Sequence, residues 1–278
     1  MYFFIEAFGI AIPTVVTSAV LMIGAATVAS FVHLQYRCGQ FFRIHRKKCE
    51  QLIHSKGLKV FLIESSDDWA KIPPSFFMSV EKSKIIGLDC EWVSRDTKEP
   101  VALMQISSDS GECLLVRLCK VRKILPKIQE ILENEKKVKL GVGILSDALR
   151  LSRNFGVSVR GCLDLRYLCL SRQDKKKGKQ GKGLAGLSAE FLGITLEKDL
   201  QIICSDWEAP RLTKRQIDYA SLDAFVSVPI FCELVNDLYH ISIKKRFLPV
   251  TSSESWAITR KIVKPYLDKH LKAGTYTM

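Results

Sequence analysis

The sequence predicts an α/β domain, a mixed sheet flanked by helices, carried behind an apolar N-terminal segment. Three observations predict it. Short strand-like runs cluster between Lys59 and Arg117; helix-period segments and shorter apolar runs alternate after that; and residues 7–34 contain no Asp, Glu, Lys or Arg. Strands first and βα alternation later give a sheet of mixed direction rather than an all-parallel one. The chain has 278 residues, enough for one sizeable domain and an appendage.

The elements follow in order. The uncharged run of 28 residues from Ala7 to Leu34 would span about 42 Å as a helix, against about 30 Å of bilayer hydrocarbon. Pro13 lies inside it, which membrane helices tolerate. Arg37, Arg43, Arg46, Lys47 and Lys48 follow directly, and such a flank stays in the cytosol. The run is too long for a cleaved signal peptide, has no basic residue before it, and lacks the arginines of a matrix-targeting peptide. Residues 1–36 are therefore expected to anchor the chain in a lipid bilayer, with the rest facing the cytosol. Residues 37–58 form a basic juxtamembrane linker, 59–240 the folded domain, and 241–278 a tail without an assigned role.

Within the domain, Lys59–Ile63 reads as a strand, and Ser65-Ser-Asp-Asp68 before Trp69 as a helix start. Lys84–Asp89, Val101–Ser107 and Glu112–Arg117 are further strands, with a hairpin turn at Asp109-Ser-Gly111. A helix is expected over 121–133, a strand over 138–142 and a helix over 146–155. Cys162–Leu165 is a short apolar run, residues 172–183 a polar low-complexity loop, and helices are expected at about 185–192, 213–220 and 222–238.

The net charge of +13 is uneven. Residues 37–59 carry +6 and residues 172–182 carry +5, so the remainder is close to neutral. This is not the profile of a uniformly basic nucleic-acid binder; each run reads first as a solvated or membrane-flanking stretch. The nine cysteines are odd in number and show no C-x₂-C pair, which excludes a disulfide framework or a zinc ribbon and fits a reducing compartment.

Three motifs carry chemistry. In Asp89-Cys-Glu91, strand alternation puts both carboxylates on one face and Cys90 on the other. Two acids about 4 Å apart repel by roughly 4 kcal/mol at an effective dielectric of 20, a strain that divalent cations relieve. The plainer reading is a strand that ends at Asp89 with Glu91 already solvated. In Gly141-Val-Gly-Ile-Leu-Ser-Asp147, the aspartate falls in the first turn of a helix, where the dipole alone would favour it. In Tyr219-Ala-Ser-Leu-Asp223, the four-residue spacing puts phenol and carboxylate on one helix face.

Taken together and in this order, the motifs resemble the DEDD superfamily of 3′–5′ exonucleases, in the branch with tyrosine in its third motif. Leu103-Met-Gln-Ile106, Cys204-Ser-Asp-Trp207, Leu212-Thr213 and Gln216 fit the same pattern, and the sister branch's histidine position holds Asp218. The stretch Val159–Tyr167 and the apolar anchor narrow the resemblance within that branch. The resemblance covers about residues 59–240 and implies a ribonuclease H-like fold and hydrolysis of RNA or DNA from the 3′ end. It implies Mg²⁺ or Mn²⁺ as cofactor, two ions per site. Asp89 would bridge both, Glu91 and Asp223 would complete the ion holding the attacking water, and Asp147 would serve the ion at the leaving oxygen. Hard carboxylate ligands suit these ions rather than zinc. Tyr219, with an ordinary pKa of about 10, is an orienter of water rather than a base.

Gln105 and Trp92 are expected near the nucleic acid, Trp92 by stacking on a base; core packing is the alternative for Trp92 and for Trp207. Lys175, Lys176, Lys177 and Lys179 would track a phosphate backbone, or remain a solvated loop. Among membranes, the resemblance favours the mitochondrial outer membrane over the endoplasmic reticulum. The rival functions are a non-catalytic nucleic-acid-binding module or a membrane adaptor on the same fold.

Overall fold

The structure, a computed structural model, describes residues 51, 57–93, 100–172, 183–197 and 199–245. The expected membrane span, most of the basic linker, the lysine loop and the tail beyond residue 245 lie outside the described residues. No helix among the described residues is long and apolar enough to cross a membrane.

Six strands form one sheet: β1 Lys59–Ile63, β2 Ile85–Glu91, β3 Leu103–Ser107, β4 Glu112–Val116, β5 Val138–Gly141 and β6 Cys162–Asp164. Their order is β1-β4-β3-β2-β5-β6. β3 runs antiparallel to both β2 and β4, while β1 joins β4, β5 joins β2 and β6 joins β5 in parallel. The helices are α1 Pro74–Lys82, α2 Leu118–Val121, α3 Pro126–Glu133, α4 Ile144–Phe155, α5 Leu165–Arg172, α6 Leu184–Leu192, α7 Leu200–Ile203 and α8 Lys214–Lys245, with a 3-10 turn at Asp67–Lys71. The expected mixed sheet flanked by helices is what is found.

Strand alternation divides the core between the two faces of the sheet. Ile86, Leu88 and Cys90 of β2 join Met104, Ile106, Leu114 and Val116 in a layer covered by Phe76, Val80, Ile128 and Leu151. The opposite face of β3 and β4, with Leu103, Cys113 and Leu115, packs against Ala220 and Ala224 of α8 and against Trp207. The two Asp89-Cys-Glu91 carboxylates lie on the α8 side and Cys90 on the other, as alternation requires.

Several boundaries differ from the sequence reading, each for a local reason. The helix expected over 121–133 is two pieces, because Arg122 takes a left-handed conformation (φ 54°) and α3 begins anew at Pro126, favoured at a first helical position. The pair of helices expected at 213–220 and 222–238 is the single helix α8, which runs on through Pro229. Leu165–Arg172, to which the sequence reading gave no helix, is helix α5, whose weak amphipathicity hides it in the sequence. β2 extends to Glu91, which settles the motif's geometry in favour of both acids on one strand.

Candidate active site

Parallel pairing of β2 with β5, in the register Gly87↔Leu140, sets the C-terminal ends of the two strands side by side. Gly141 closes β5 against β2: a Cβ there would stand 2.8 Å from the Leu88 carbonyl oxygen. The chain then turns at Gly143, whose φ of 78° suits glycine. Its N–H donates to the Asp164 carboxylate at 2.9 Å. Asp164 is in turn bonded by the Arg166 guanidinium and backbone N–H. That clamp fixes the start of α4 and with it Asp147, which is 4% exposed.

The third wall is α8. A Cβ on Gly87 would stand 1.9 Å from the Ala224 carbonyl oxygen, so only glycine lets the helix backbone sit down on β2. Ser107 confirms the seat by donating its hydroxyl to the same carbonyl at 3.0 Å. Asp223, next to Ala224, thereby reaches the face that holds Asp89 and Glu91. The start of α8 is fixed by a capping box. The Gln216 N–H donates to Thr213 Oγ1 at 3.2 Å, and Gln216 Oε1 accepts from the Thr213 N–H at 2.9 Å. The Gln216 amide also donates to Ser205 Oγ and the Asp206 carbonyl. Buried Arg117 donates to the carbonyls of Trp207, Ala209 and Pro210. The accessory stretches around Trp207 and Thr213 therefore hold the helix that carries Tyr219 and Asp223. Arg117 was not marked by the sequence reading: a strand-end arginine reads as exposed until the loop it grips is folded over it.

Asp89, Glu91, Asp147, Tyr219 and Asp223 come together, and their electrostatics show it. Burial, opposed by a hydrogen bond from the Cys90 N–H, raises the Asp89 carboxyl to about 6. Burial and then the charge of Asp89 raise Asp223 to about 8, against a hydrogen bond from Tyr219. Glu91 is pushed well up by burial, then by Asp89, Asp223 and Asp147. Asp147 is pushed well up by burial, then by Asp89. Burial and the surrounding acids raise the Tyr219 phenol, so it keeps its proton at neutral pH. The Arg150 guanidinium, one turn on from Asp147, acts against that rise in Asp147. Among the described residues no three Asp, Glu, His or Cys side chains form a ready-made ion cage. The arrangement is a set of buried hard oxygen donors whose charges disfavour one another, a donor set that fits Mg²⁺ or Mn²⁺.

The remaining expected residues separate. Trp92 is half-buried against the core, with the Arg150 guanidinium 4.0 Å from its ring centroid, so one face of the indole is occupied. Trp207 is fully buried, which rules out base stacking. Gln105 is also fully buried, in the floor beneath the acids, and so does not contact nucleic acid at the surface as expected. Lys175, Lys176, Lys177 and Lys179 lie outside the described residues. The seven cysteines among the described residues are free thiols.

A family model described as 3′–5′ exonuclease matches residues 70–239, which contain all five grouped residues. The chain belongs to the 3′–5′ exonuclease family. It is 42% identical over 156 residues to exonuclease 3′–5′ domain-containing protein 2 of Drosophila melanogaster, covering 56% of this chain and 26% of that protein. It is 40% identical over 182 residues to the Homo sapiens protein of the same name, covering 64% of this chain and 29% of that one. The chain thus spans little more than a quarter of the length of these relatives. A solved structure of the EXD2 exonuclease domain soaked in Mn is 36% identical, with a TM-score of 0.39, and covers 67% of this chain and 95% of that one. In this 3′–5′ exonuclease domain the motif residues that matched as sequence are the ones that the fold gathers.

Proposed function

We propose that this chain hydrolyses RNA or DNA stepwise from the 3′ end, with Asp89, Glu91, Asp147 and Asp223 as ligands of Mg²⁺ or Mn²⁺. The observation that carries the reading is the gathering of four buried carboxylates, each raised by burial and three of them by a neighbouring acid, in a 3′–5′ exonuclease domain. Bound there, divalent ions supply a nucleophilic water and neutralise charge on the leaving oxygen. The chain's own part is to hold the acids and shape the approach. β2 presents Asp89 and Glu91 on one face, α4 brings Asp147 from one side, and α8 brings Asp223 from the other. Tyr219 keeps its proton, so it donates and orients rather than abstracting one. The antiparallel β2–β3–β4 unit continued by parallel β5 and β6 supports a ribonuclease H-like reading of the sheet.

The same proposal places residues 7–34 in a bilayer with the domain in the cytosol, at the mitochondrial outer membrane or the endoplasmic reticulum. The uncharged run and its basic flank support it. Protease added to intact organelles should remove the domain, and protection from it would reverse the orientation.

The full chain, purified in detergent, should shorten 5′-labelled single-stranded RNA or DNA from the 3′ end in Mg²⁺ or Mn²⁺, and a chelator should stop it. Asp89→Asn combined with Glu91→Gln should abolish hydrolysis while the fold, followed by circular dichroism, persists. Binding of nucleic acid without metal-dependent hydrolysis would instead make the domain a non-catalytic module.

A further inference from the structure

Gln105 sits directly across the β2–β3 ladder from Asp89. Paired residues of an antiparallel ladder share a face, with Cβ atoms about 4.5–5.5 Å apart. Gln105 is 0% exposed, and neither its Nε2 nor its Oε1 has a hydrogen-bond partner. Its surroundings on that face are otherwise apolar. Leu103 precedes it by two residues on β3, Leu115 faces it from β4, and Ala220 and Ala224 of α8 belong to the same layer. The neighbouring polar side chain on β3, Ser107, is already committed to the Ala224 carbonyl.

An amide buried without partners is costly, because each of its polar groups gives up hydrogen bonds to water and gains none in return. A leucine or methionine of nearly the same volume would avoid that cost, as Leu103 and Leu115 do on either side. What the amide has and they lack is a donor N–H on the same face as Asp89, still uncommitted here and so free to be taken up when the carboxylate turns to a cation. A lysine or arginine there would pair with Asp89 and compete with any cation. A neutral donor supports the ionised carboxylate, fixes its orientation and leaves its charge available.

We propose that Gln105 is a positioning residue for the metal site, its side-chain amide serving as the donor that orients the Asp89 carboxylate toward a bound divalent cation. This rests on the reading of Asp89 as a metal ligand. Outer donors of this kind alter metal affinity by about 10–100-fold when removed.

The test is Gln105→Met in the full chain in detergent, with Mn²⁺ as the probe. Two quantities are read: the melting temperature in chelator, and Mn²⁺ affinity by calorimetry. Q105M should melt higher than the parent, because an unpaired buried amide has gone. It should also bind Mn²⁺ at least about tenfold more weakly, with KM for a short oligonucleotide unchanged when Mn²⁺ is saturating. A variant that melts at or below the parent would show that the amide already serves the fold, and would overturn the proposal. So would a more stable variant whose Mn²⁺ affinity matches the parent. The D89N/E91Q protein is the control for the underlying reading. If it binds Mn²⁺ as well as the parent, the metal-site assignment fails; if it does not, and only Q105M behaves like the parent, the role of Gln105 alone fails.

Discussion

Tyr219 and Asp223 stand one turn apart on α8, and the phenol hydrogen-bonds to the carboxylate. The sequence reading gave Tyr219 the task of orienting water; the structure adds that its hydroxyl already faces a metal-ligand candidate. Tyr219→Phe keeps the ring that packs beside Trp207, at a centroid separation of 6.2 Å, and removes the one hydroxyl. Loss of a positioned donor typically costs about 10²–10³ in rate. Turnover should fall by about that factor with substrate affinity nearly intact. Asp223→Asn, which replaces a ligand rather than its partner, should fall further. Steady-state kinetics of both variants decide the matter, and a Phe variant as active as the parent would remove Tyr219 from the chemistry.

At the scale of elements, the site depends on how closely α8 lies on β2. Gly87→Ala would force a Cβ to within 1.9 Å of the Ala224 carbonyl, and backbone cannot give way as a flexible side chain does. Overpacking of this kind costs about 1–3 kcal/mol or more, which for a domain of this size lowers the melting temperature by roughly 2–4 °C per kcal/mol. The helix must lift, so activity should fall more than stability alone explains. Ser107→Ala is the contrasting case. It deletes the hydrogen bond to the same carbonyl without adding bulk, and should cost about 1 kcal/mol with activity largely retained. Thermal melts and turnover measured on both variants test whether close approach, rather than the hydrogen bond, seats the helix.

Over the whole molecule, the acid cluster makes stability depend on pH in an unusual direction. Carboxylates raised in the folded state, Asp89 to about 6 and Asp223 to about 8, bind protons that the unfolded chain, near pKa 4, has released. Their contribution is full below pH 4 and is lost as pH rises through the folded values. In chelator, stability should therefore fall between about pH 4.5 and 7, by about 1.4 kcal/mol per pH unit for each proton held only by the folded chain. Lys139, lowered to about 7 by burial, acts in the opposite sense above that pH, so the window ends there. Mg²⁺ should restore stability, more at pH 7 than at pH 5. Denaturation midpoints across this range test it, and a parent whose stability rises from pH 4.5 to 7 would contradict the buried-acid cluster. The lysine run belongs to this scale as well. Changing Lys175, Lys176, Lys177 and Lys179 to Ala should flatten the log-salt dependence of nucleic-acid binding by about 0.7–0.9 per lost phosphate contact; an unchanged slope would leave the loop merely solvated.

The amino-acid sequence by itself determined the fold class and the placing of most strands, because periodicity is local, and the resemblance of its three motifs to an exonuclease family singled out the residues that the fold gathers. Alternation in Asp89-Cys-Glu91 and the four-residue step from Tyr219 to Asp223 fix which side chains share a face before any packing occurs. Only the tertiary structure decided how these faces meet. The contact of Gly87 with Ala224, the grip of Arg117 on the loop before α8, and the clamp of Asp164 and Arg166 on Gly143 join residues far apart in the chain. Gln105 shows the difference most plainly. Its motif marked it as functional, but exposure is a property of the folded sheet, and burial moved it from the nucleic acid to the floor beneath Asp89. The continuity of α8 through Pro229 was likewise hidden, because proline's local cost is legible in sequence while the packing along both flanks of the helix that outweighs it is not.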